Sequence, residues 1–172
     1  KLNSIIKNCT SLWDERPFVQ LQASQLIEGS KEGLSFTTPD LETATLALFE
    51  LKIRSSARAE AAAKEIETTI HSIGHQPINW LMQARKNLQL LKYHETPNDQ
   101  YTNSIYVILR NGYSIQNQTY GVYVGQTSKT PEQRFIEHKK GIKSARGLKK
   151  YGIQLLRSLW PYGKVDSDKK LC

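Results

Sequence analysis

The spacing of hydrophobic and polar positions changes near residue 100 of this 172-residue chain. Between Leu41 and Tyr93 the apolar residues recur every three or four positions, which is typical of amphipathic helices. Between Ile105 and Gly125 they alternate with other residues, which is typical of strands. The sequence therefore predicts a mostly helical first half and a second half built on a small sheet.

Three helices are predicted in the first half, after short helices and turns over residues 1–37. The first starts at Thr38-Pro39-Asp40, where a hydroxyl cap, a proline and an acid favour a helix N-terminus. The second covers Ala57 to His71, which is rich in strong helix formers, and ends at Gly74. The third follows Pro77.

Two strands, Ile105–Arg110 and Tyr120–Gly125, are predicted to form an antiparallel hairpin in the second half. Asn111-Gly112 is a turn signal between them. The valines of the second strand are expected to face inward, together with Ile105 and Val107. Tyr106 and Tyr123 would then lie side by side on the opposite face, because side chains alternate along a strand.

A helix with a clear start follows the hairpin. Thr130-Pro131-Glu132-Gln133 is a capping box with proline at the first helical position, and the helix is predicted to reach Lys140. Arg134 and His138 are four residues apart and therefore face the same way. A short helix and a third strand are predicted at Ser144–Tyr151 and Ile153–Leu159.

The predicted fold class is α/β, in the α+β sense, with an antiparallel hairpin, a third strand and helices in the second half. A polar segment with a proline, His94 to Asn103, is the expected boundary. We therefore predict a helical N-terminal region over residues 1–95 and a second domain over residues 101–172.

The charge of the chain is concentrated in the second domain. Residues 1–100 hold 11 Lys and Arg against 12 Asp and Glu, whereas residues 101–172 hold 13 against 4. The formal net charge of +8 is thus divided into −1 and +9. A basic half favours a polyanion such as nucleic acid as partner, with a merely solubilising surface as the alternative.

Cysteines and apolar runs bear on the compartment. Cys9 and Cys172 have no neighbours at metal-ligand spacing, so free thiols in a reduced, cytoplasmic environment are expected. No run of about 18 apolar residues and no secretory signal is present, so no membrane contact is expected. The chain lacks an initiator Met, and we expect it to be a fragment.

The second domain combines residue types that suit cleavage of a phosphodiester. Such cleavage needs a base for water, a cation for the phosphorane, an acid for the leaving oxygen and usually a metal ion. A tyrosine serves as base if its pKa is depressed, and cations beside Tyr106 and Tyr123 are expected to depress it. Arg134 suits the phosphate, since its fork matches two oxygens.

Together these residues resemble the GIY-YIG nuclease family over about residues 103–160. The elements that carry the resemblance are Ser104-Ile105-Tyr106, Tyr123-Val124-Gly125, Arg134 and His138. The family fold is a small three-stranded antiparallel sheet with flanking helices, and its members cut DNA with a divalent metal, here Mg²⁺ or Mn²⁺. The resemblance therefore implies a metal-dependent endonuclease acting on DNA.

The resemblance also implies a role for each residue of the motif. Tyr106 would be the water-activating base, and Tyr123 would orient water or bind a phosphate oxygen. Arg134 would stabilise the transition state, and His138 would act as acid, base or phosphate contact. Contacts to the DNA backbone are expected from Lys129, Lys139, Lys140, Lys143, Arg146, Lys149 and Lys150.

Three departures from the family pattern leave an alternative open. Ser104 replaces the leading glycine, and sixteen residues separate the two tripeptides. The family's metal-binding Glu lies on a later helix, but no Glu follows Glu137 and only Asp166 and Asp168 remain. Either the chain is truncated before that residue, or it is a non-catalytic nucleic-acid-binding module that has lost it.

Two further points concern the role of Arg134 and the role of the N-terminal region. Arg134 could instead be a solvated helix residue that pairs with Glu137 or Glu132. The near-neutral N-terminal region is expected to form a homodimer or to bind a partner through its helices.

Overall fold

The computed structural model describes residues 15–90, 103–115 and 118–159. The chain divides into two compact units, residues 1–90 (unit 1) and 91–172 (unit 2). Apart from Asn103, the predicted boundary segment lies outside the described residues. The helices and the antiparallel sheet confirm the α+β class. Within the described ranges no helix is long and apolar enough to cross a membrane.

Unit 1 is helical. Leu41 and Leu51 from one helix and Ile66 and Ile70 from the next are fully buried and form its centre. This burial of aliphatic side chains is the main driving force for the helical packing. The described helices are α1 Ala23–Leu34, α2 Leu41–Arg54, α3 Ala57–Ser72 and α4 Leu81–Leu90.

The helix starts in unit 1 follow from capping side chains. Asp40 accepts a hydrogen bond from the Thr43 amide (3.1 Å), and Ser56 accepts one from the Ala59 amide (3.2 Å). Helix α2 thus begins after Asp40 and not after Thr38. The second carboxylate oxygen of Asp40 accepts the Thr43 hydroxyl (2.7 Å), so this side chain caps the helix through both of its oxygens.

A buried carboxylate joins Arg16, which precedes α1, to α2. Glu50 is 3% exposed and accepts hydrogen bonds from Arg16 Nε (3.1 Å), Arg16 Nη2 (2.8 Å) and Arg54 Nε (2.8 Å). Burial alone would raise the pKa of Glu50, but the hydrogen bonds from Arg16 and Arg54 outweigh it and lower that pKa. The ionised form of Glu50 therefore stabilises the folded unit.

We expect unit 1 to lose stability on acidification. Because the pKa of Glu50 is lower in the folded state, its stabilisation is present above about pH 4.5 and is lost as the pH falls through the folded value. Glu50→Gln should lower the free energy of unfolding at neutral pH by roughly 1–3 kcal/mol and flatten its pH dependence. Urea titrations at several pH values measure both effects.

A matched control for this change is Glu65→Gln in α3. The Glu65 side chain is 45% exposed and pairs with Lys31, which is itself half exposed. Its replacement should change stability by less than about 1 kcal/mol. An unaltered pH dependence in the Glu50 variant would contradict the assignment.

Unit 2 contains the predicted three-stranded antiparallel sheet. The strand order is β2-β1-β3, so the long first strand lies in the middle. The strands are β1 Ser104–Ile115, β2 Gln118–Thr127 and β3 Gly152–Leu155. Between β2 and β3 lie helices α5 Pro131–Lys140 and α6 Leu148–Tyr151, and a 3₁₀ turn, Arg157–Leu159, follows β3.

The predicted turn at Asn111-Gly112 is wrong. Strand β1 continues to Ile115, which pairs with Gln118, and the register shifts between Asn111 and Ile115. Gly112 has a φ of 83°, and its amide donates to the Asn111 side-chain oxygen (2.8 Å). A glycine in the left-handed region therefore makes an irregularity within the strand and not a reversal of the chain.

The prediction that the valines of β2 face inward is also wrong. Val122 and Val124 are 42% and 60% exposed, whereas Tyr106 and Ile108 on the other face are buried. The tyrosine face packs against the helices through Leu148, together with Leu155 of β3. The site residues thus belong to the core of unit 2.

Candidate active site

Tyr106 and Tyr123 lie on the same face of the sheet, as predicted. Tyr106 pairs with Gly125 and Ile108 pairs with Tyr123 across the two strands of the hairpin. The two phenol rings are therefore diagonal neighbours, with centroids 6.1 Å apart and an interplanar angle of 45°. The pleat of the hairpin fixes this arrangement, since cross-strand partners share a face.

The absence of a side chain at Gly125 leaves space for the hydroxyl end of the Tyr106 ring. A Cβ atom at this position would lie 2.4 Å from Tyr106 Cζ and Oη and 2.8 Å from Tyr123 Cε1. Such distances are far inside van der Waals contact. The glycine of the second tripeptide is therefore required by close approach of the first tripeptide's tyrosine.

Helix α5 brings Arg134 and His138 to the two phenols. The capping box is formed, because the Gln133 amide donates to Thr130 Oγ1 (3.2 Å) and the Thr130 amide donates to Gln133 Oε1 (3.3 Å). Gly141 ends the helix with a φ of 84°. Local signals thus set both ends of the helix and the direction of its inner face.

His138 is fully buried and contacts both tyrosines. The Tyr106 hydroxyl lies 2.8 Å from His138 Nε2, and the Tyr123 ring meets the imidazole edge-on at 5.7 Å. Burial, assisted by the Arg134 charge, lowers the pKa of His138, so the ring is neutral at neutral pH. We assign Nε2 as acceptor of the Tyr106 proton, with Nδ1–H directed at Ser144 Oγ (3.4 Å).

The expectation that cations depress the pKa of Tyr106 is wrong. Burial and the neighbouring Tyr123 raise the pKa of Tyr106 to about 12, although Arg134 acts in the lowering direction. The desolvation cost of a phenolate outweighs the attraction of one guanidinium here. Tyr106 is therefore a protonated phenol that donates a hydrogen bond to His138, and not a phenolate.

Arg134 is held by several acceptors. Its Nη1 donates to Glu137 Oε2 (3.0 Å) and to the Ile142 carbonyl (3.2 Å), and Nη2 donates to the Lys143 carbonyl (2.7 Å). Pairing with Glu137, which the sequence left open, thus occurs beside the phenols. Burial would lower the pKa of Arg134, but the hydrogen bonds of Glu137 and Tyr106 outweigh it and raise that pKa. The guanidinium of Arg134 therefore stays protonated.

The sequence offered Glu137 only as an alternative ion-pair partner of Arg134 and did not predict it as a residue of the site. Its carboxylate also accepts a hydrogen bond from Lys129 Nζ, so it bridges two cations. The signal was its position three residues after Arg134, which places both side chains on one helical face. Ser144, the partner of His138, had no comparable signal because it lies in an irregular connection.

Two of the predicted DNA-contacting residues, both exposed, make contacts within unit 2. Lys139 Nζ donates to the Gly152 carbonyl (2.7 Å), and Lys129 pairs with Glu137. The other five are exposed side chains that continue from the end of α5 through α6. They are Lys140, Lys143, Arg146, Lys149 and Lys150.

The described donors do not fit the divalent metal that the family resemblance implies. Mg²⁺ prefers several oxygen ligands, with carboxylates foremost. Here the carboxylate at the site, Glu137, has both oxygens bound to cations. No group of three His, Cys, Asp or Glu residues lies together in the part of the chain that the structure describes. Asp166 and Asp168 lie outside it.

Comparison with known proteins leaves the family open. No family model matches the chain, and neither a curated protein nor a solved structure matches it. The resemblance therefore depends on the residues of the motif and on the geometry that brings them together.

Proposed function

We propose that unit 2 is a GIY-YIG-like endonuclease domain that hydrolyses phosphodiester bonds in DNA. The observation that carries the proposal is the hydrogen bond between Tyr106 Oη and His138 Nε2 (2.8 Å), with Arg134 acting on the same phenol. A proton donor, a neutral acceptor and a fixed cation at one place are groups that phosphodiester hydrolysis requires. The exposed cations beyond α5 supply a surface for the DNA backbone.

A proton relay suits these groups better than a free phenolate, because the pKa of Tyr106 is about 12. Water gives a proton to Tyr106 Oη as Tyr106 passes its own proton to His138 Nε2. The water oxygen bonds to phosphorus, the bond from phosphorus to the leaving oxygen breaks, and that oxygen takes a proton from solvent. Arg134 stabilises the charge that gathers on the non-bridging oxygens.

The proposal includes a requirement for a divalent cation, Mg²⁺ or Mn²⁺, which the nicking assay measures. When bound, such an ion would neutralise charge on the phosphate. Because the described donors do not fit it, each step above uses only side chains of this chain. Homodimerisation through the helices of unit 1 likewise stays a prediction.

A non-catalytic DNA-binding module is the second candidate. Tyr106 is only 1% exposed, and the carboxylate at the site is already engaged by Lys129 and Arg134. Both facts favour a domain in which the tyrosine–histidine pair holds the core together while the exposed cations bind DNA. Such a module would bind DNA in a salt-dependent manner and leave it intact.

Nicking of supercoiled plasmid as a function of pH tests the proposal. The imidazole must be neutral to accept the proton, and the pKa of His138 is lowered from 6.5 by burial and Arg134. The rate should therefore rise with pH with a midpoint below 6.5 and then reach a plateau. His138→Gln, which cannot take up a proton, should lower the plateau rate by roughly 10²–10⁴.

The control for this experiment is His75→Gln in unit 1. Burial also lowers the pKa of His75, but its ring lies in the other compact unit. Its replacement should leave the nicking rate and its pH midpoint unchanged. Salt-sensitive binding without nicking, in Mg²⁺, Mn²⁺ and EDTA alike, would establish the binding module in place of the endonuclease.

A further inference from the structure

Glu137, Lys129 and Arg134 form a bridge, called here the Glu137 bridge, at the edge of the tyrosine–histidine site. One carboxylate oxygen of Glu137 accepts from Lys129 Nζ, and the other accepts from Arg134 Nη1 at 3.0 Å. The two cations lower the pKa of Glu137, Lys129 first, so the carboxylate is charged at neutral pH. An anion thus lies between the two cations in the protein without DNA.

The chemistry of this position suits a phosphate as well as a carboxylate. Both anions offer two oxygens, and both form charge-assisted hydrogen bonds with guanidinium and ammonium groups. The position borders solvent on the Lys129 side, because the side chain of Lys129 is 53% exposed, whereas those of Glu137 and Arg134 are partly exposed at 20% and 18%. A backbone phosphate can therefore reach it.

We infer that Glu137 occupies, in the protein without DNA, the place that a DNA backbone phosphate takes in the complex, an inference that rests on the proposed function. Two anions cannot share the pair of cations without repulsion, so DNA displaces the carboxylate. Glu137 thereby sets the affinity of the phosphate subsite formed by Lys129 and Arg134. Arg134 keeps its direction after the exchange, because the Ile142 and Lys143 carbonyls still accept from it.

The energetic balance permits this exchange. The Lys129 side of the bridge is largely exposed, so solvent screens that ion pair, and Arg134 keeps its hydrogen bonds to the Ile142 and Lys143 carbonyls when the carboxylate leaves. A phosphate that also meets the neighbouring exposed lysines gains attraction that the carboxylate does not have. Removal of the Glu137 charge should therefore favour the complex with DNA and cost the fold little.

The test is binding of a short DNA duplex in EDTA by the full chain and by Glu137→Gln. The variant should bind with a Kd roughly three- to tenfold lower. If Glu137 instead positions Arg134, the variant should bind more weakly, and this result would overturn the inference. Lys129→Ala, added to the Glu137→Gln variant, should weaken its binding again, because the subsite then loses one of its cations.

The matched control is Glu132→Gln on the same helix. Glu132 is 52% exposed and its partner is Arg157 at 3.5 Å, outside the Glu137 bridge. It reports the general effect of one less negative charge, so equal tightening in both variants would overturn the inference. Plasmid nicking is measured separately. If E137Q binds DNA more tightly and neither it nor the unaltered chain cleaves the plasmid, the phosphate subsite is supported and the endonuclease is excluded.

Discussion

Tyr106→Phe should lower the rate of plasmid nicking by roughly 10²–10⁴, the usual contribution of a positioned proton-transfer group. The substitution keeps the buried ring and removes only the hydroxyl that donates to His138 Nε2 over 2.8 Å. Without that hydroxyl, water has no relay to the imidazole. Initial rates at a pH on the plateau measure the loss, and the pH limb that reports His138 should disappear with it.

Stability must be measured beside activity for this variant. Loss of the hydroxyl leaves His138 Nε2 buried without its donor, which should cost roughly 1–3 kcal/mol of unfolding free energy. Tyr151→Phe is the control, because Tyr151 is 38% exposed and lies on α6 outside the tyrosine–histidine site. A Tyr106→Phe protein that is folded and nicks plasmid at the rate of the unaltered chain would exclude the relay.

Gly125→Ala should destabilise unit 2 by about 1–3 kcal/mol and abolish nicking. The added methyl group would overlap Tyr106 Cζ and Oη at 2.4 Å, and the ring is 1% exposed, so any shift of it disturbs the neighbouring core side chains. The phenol would have to leave His138 or β2 would have to leave β1. Urea unfolding followed by circular dichroism gives the first effect, and the plasmid assay gives the second.

Gly74→Ala is the control for Gly125→Ala, because it should lower stability without disturbing the tyrosine–histidine site. Gly74 has a φ of 75° in unit 1, and a Cβ there would meet nothing within 4 Å. Its replacement should cost about 1 kcal/mol through backbone strain and leave nicking intact. An alanine at position 125 that is as stable and as active as glycine would show that the close approach is unimportant.

Local signals explain what could be predicted from the sequence. The capping box at Thr130 and the stop at Gly141 determined both ends of α5, because both signals depend on neighbours along the chain. Strict alternation placed Tyr106 and Tyr123 on one face, since a pleated strand leaves no other choice. The same local geometry aligned Arg134 with His138.

The failures concern tertiary contacts that no local pattern encodes. Strand β1 carries apolar side chains on both faces, Ile108 on one and Leu109 on the other, so alternation could not choose the inner face. That choice depends on where α5 and α6 pack on the sheet. The direction of the Tyr106 pKa shift followed from the same burial, which outweighed the charge of Arg134.

His138 is fully buried, so in the proposed endonuclease the groups that transfer the proton are also groups that pack the core of unit 2. In enzymes whose reactive groups lie on mobile loops, heating can abolish activity well below the temperature at which the core unfolds. Here the imidazole and the phenol are interior packing, so heat inactivation and collapse of the sheet should coincide. Substitutions at these two positions should therefore change the stability of the domain together with the proposed activity.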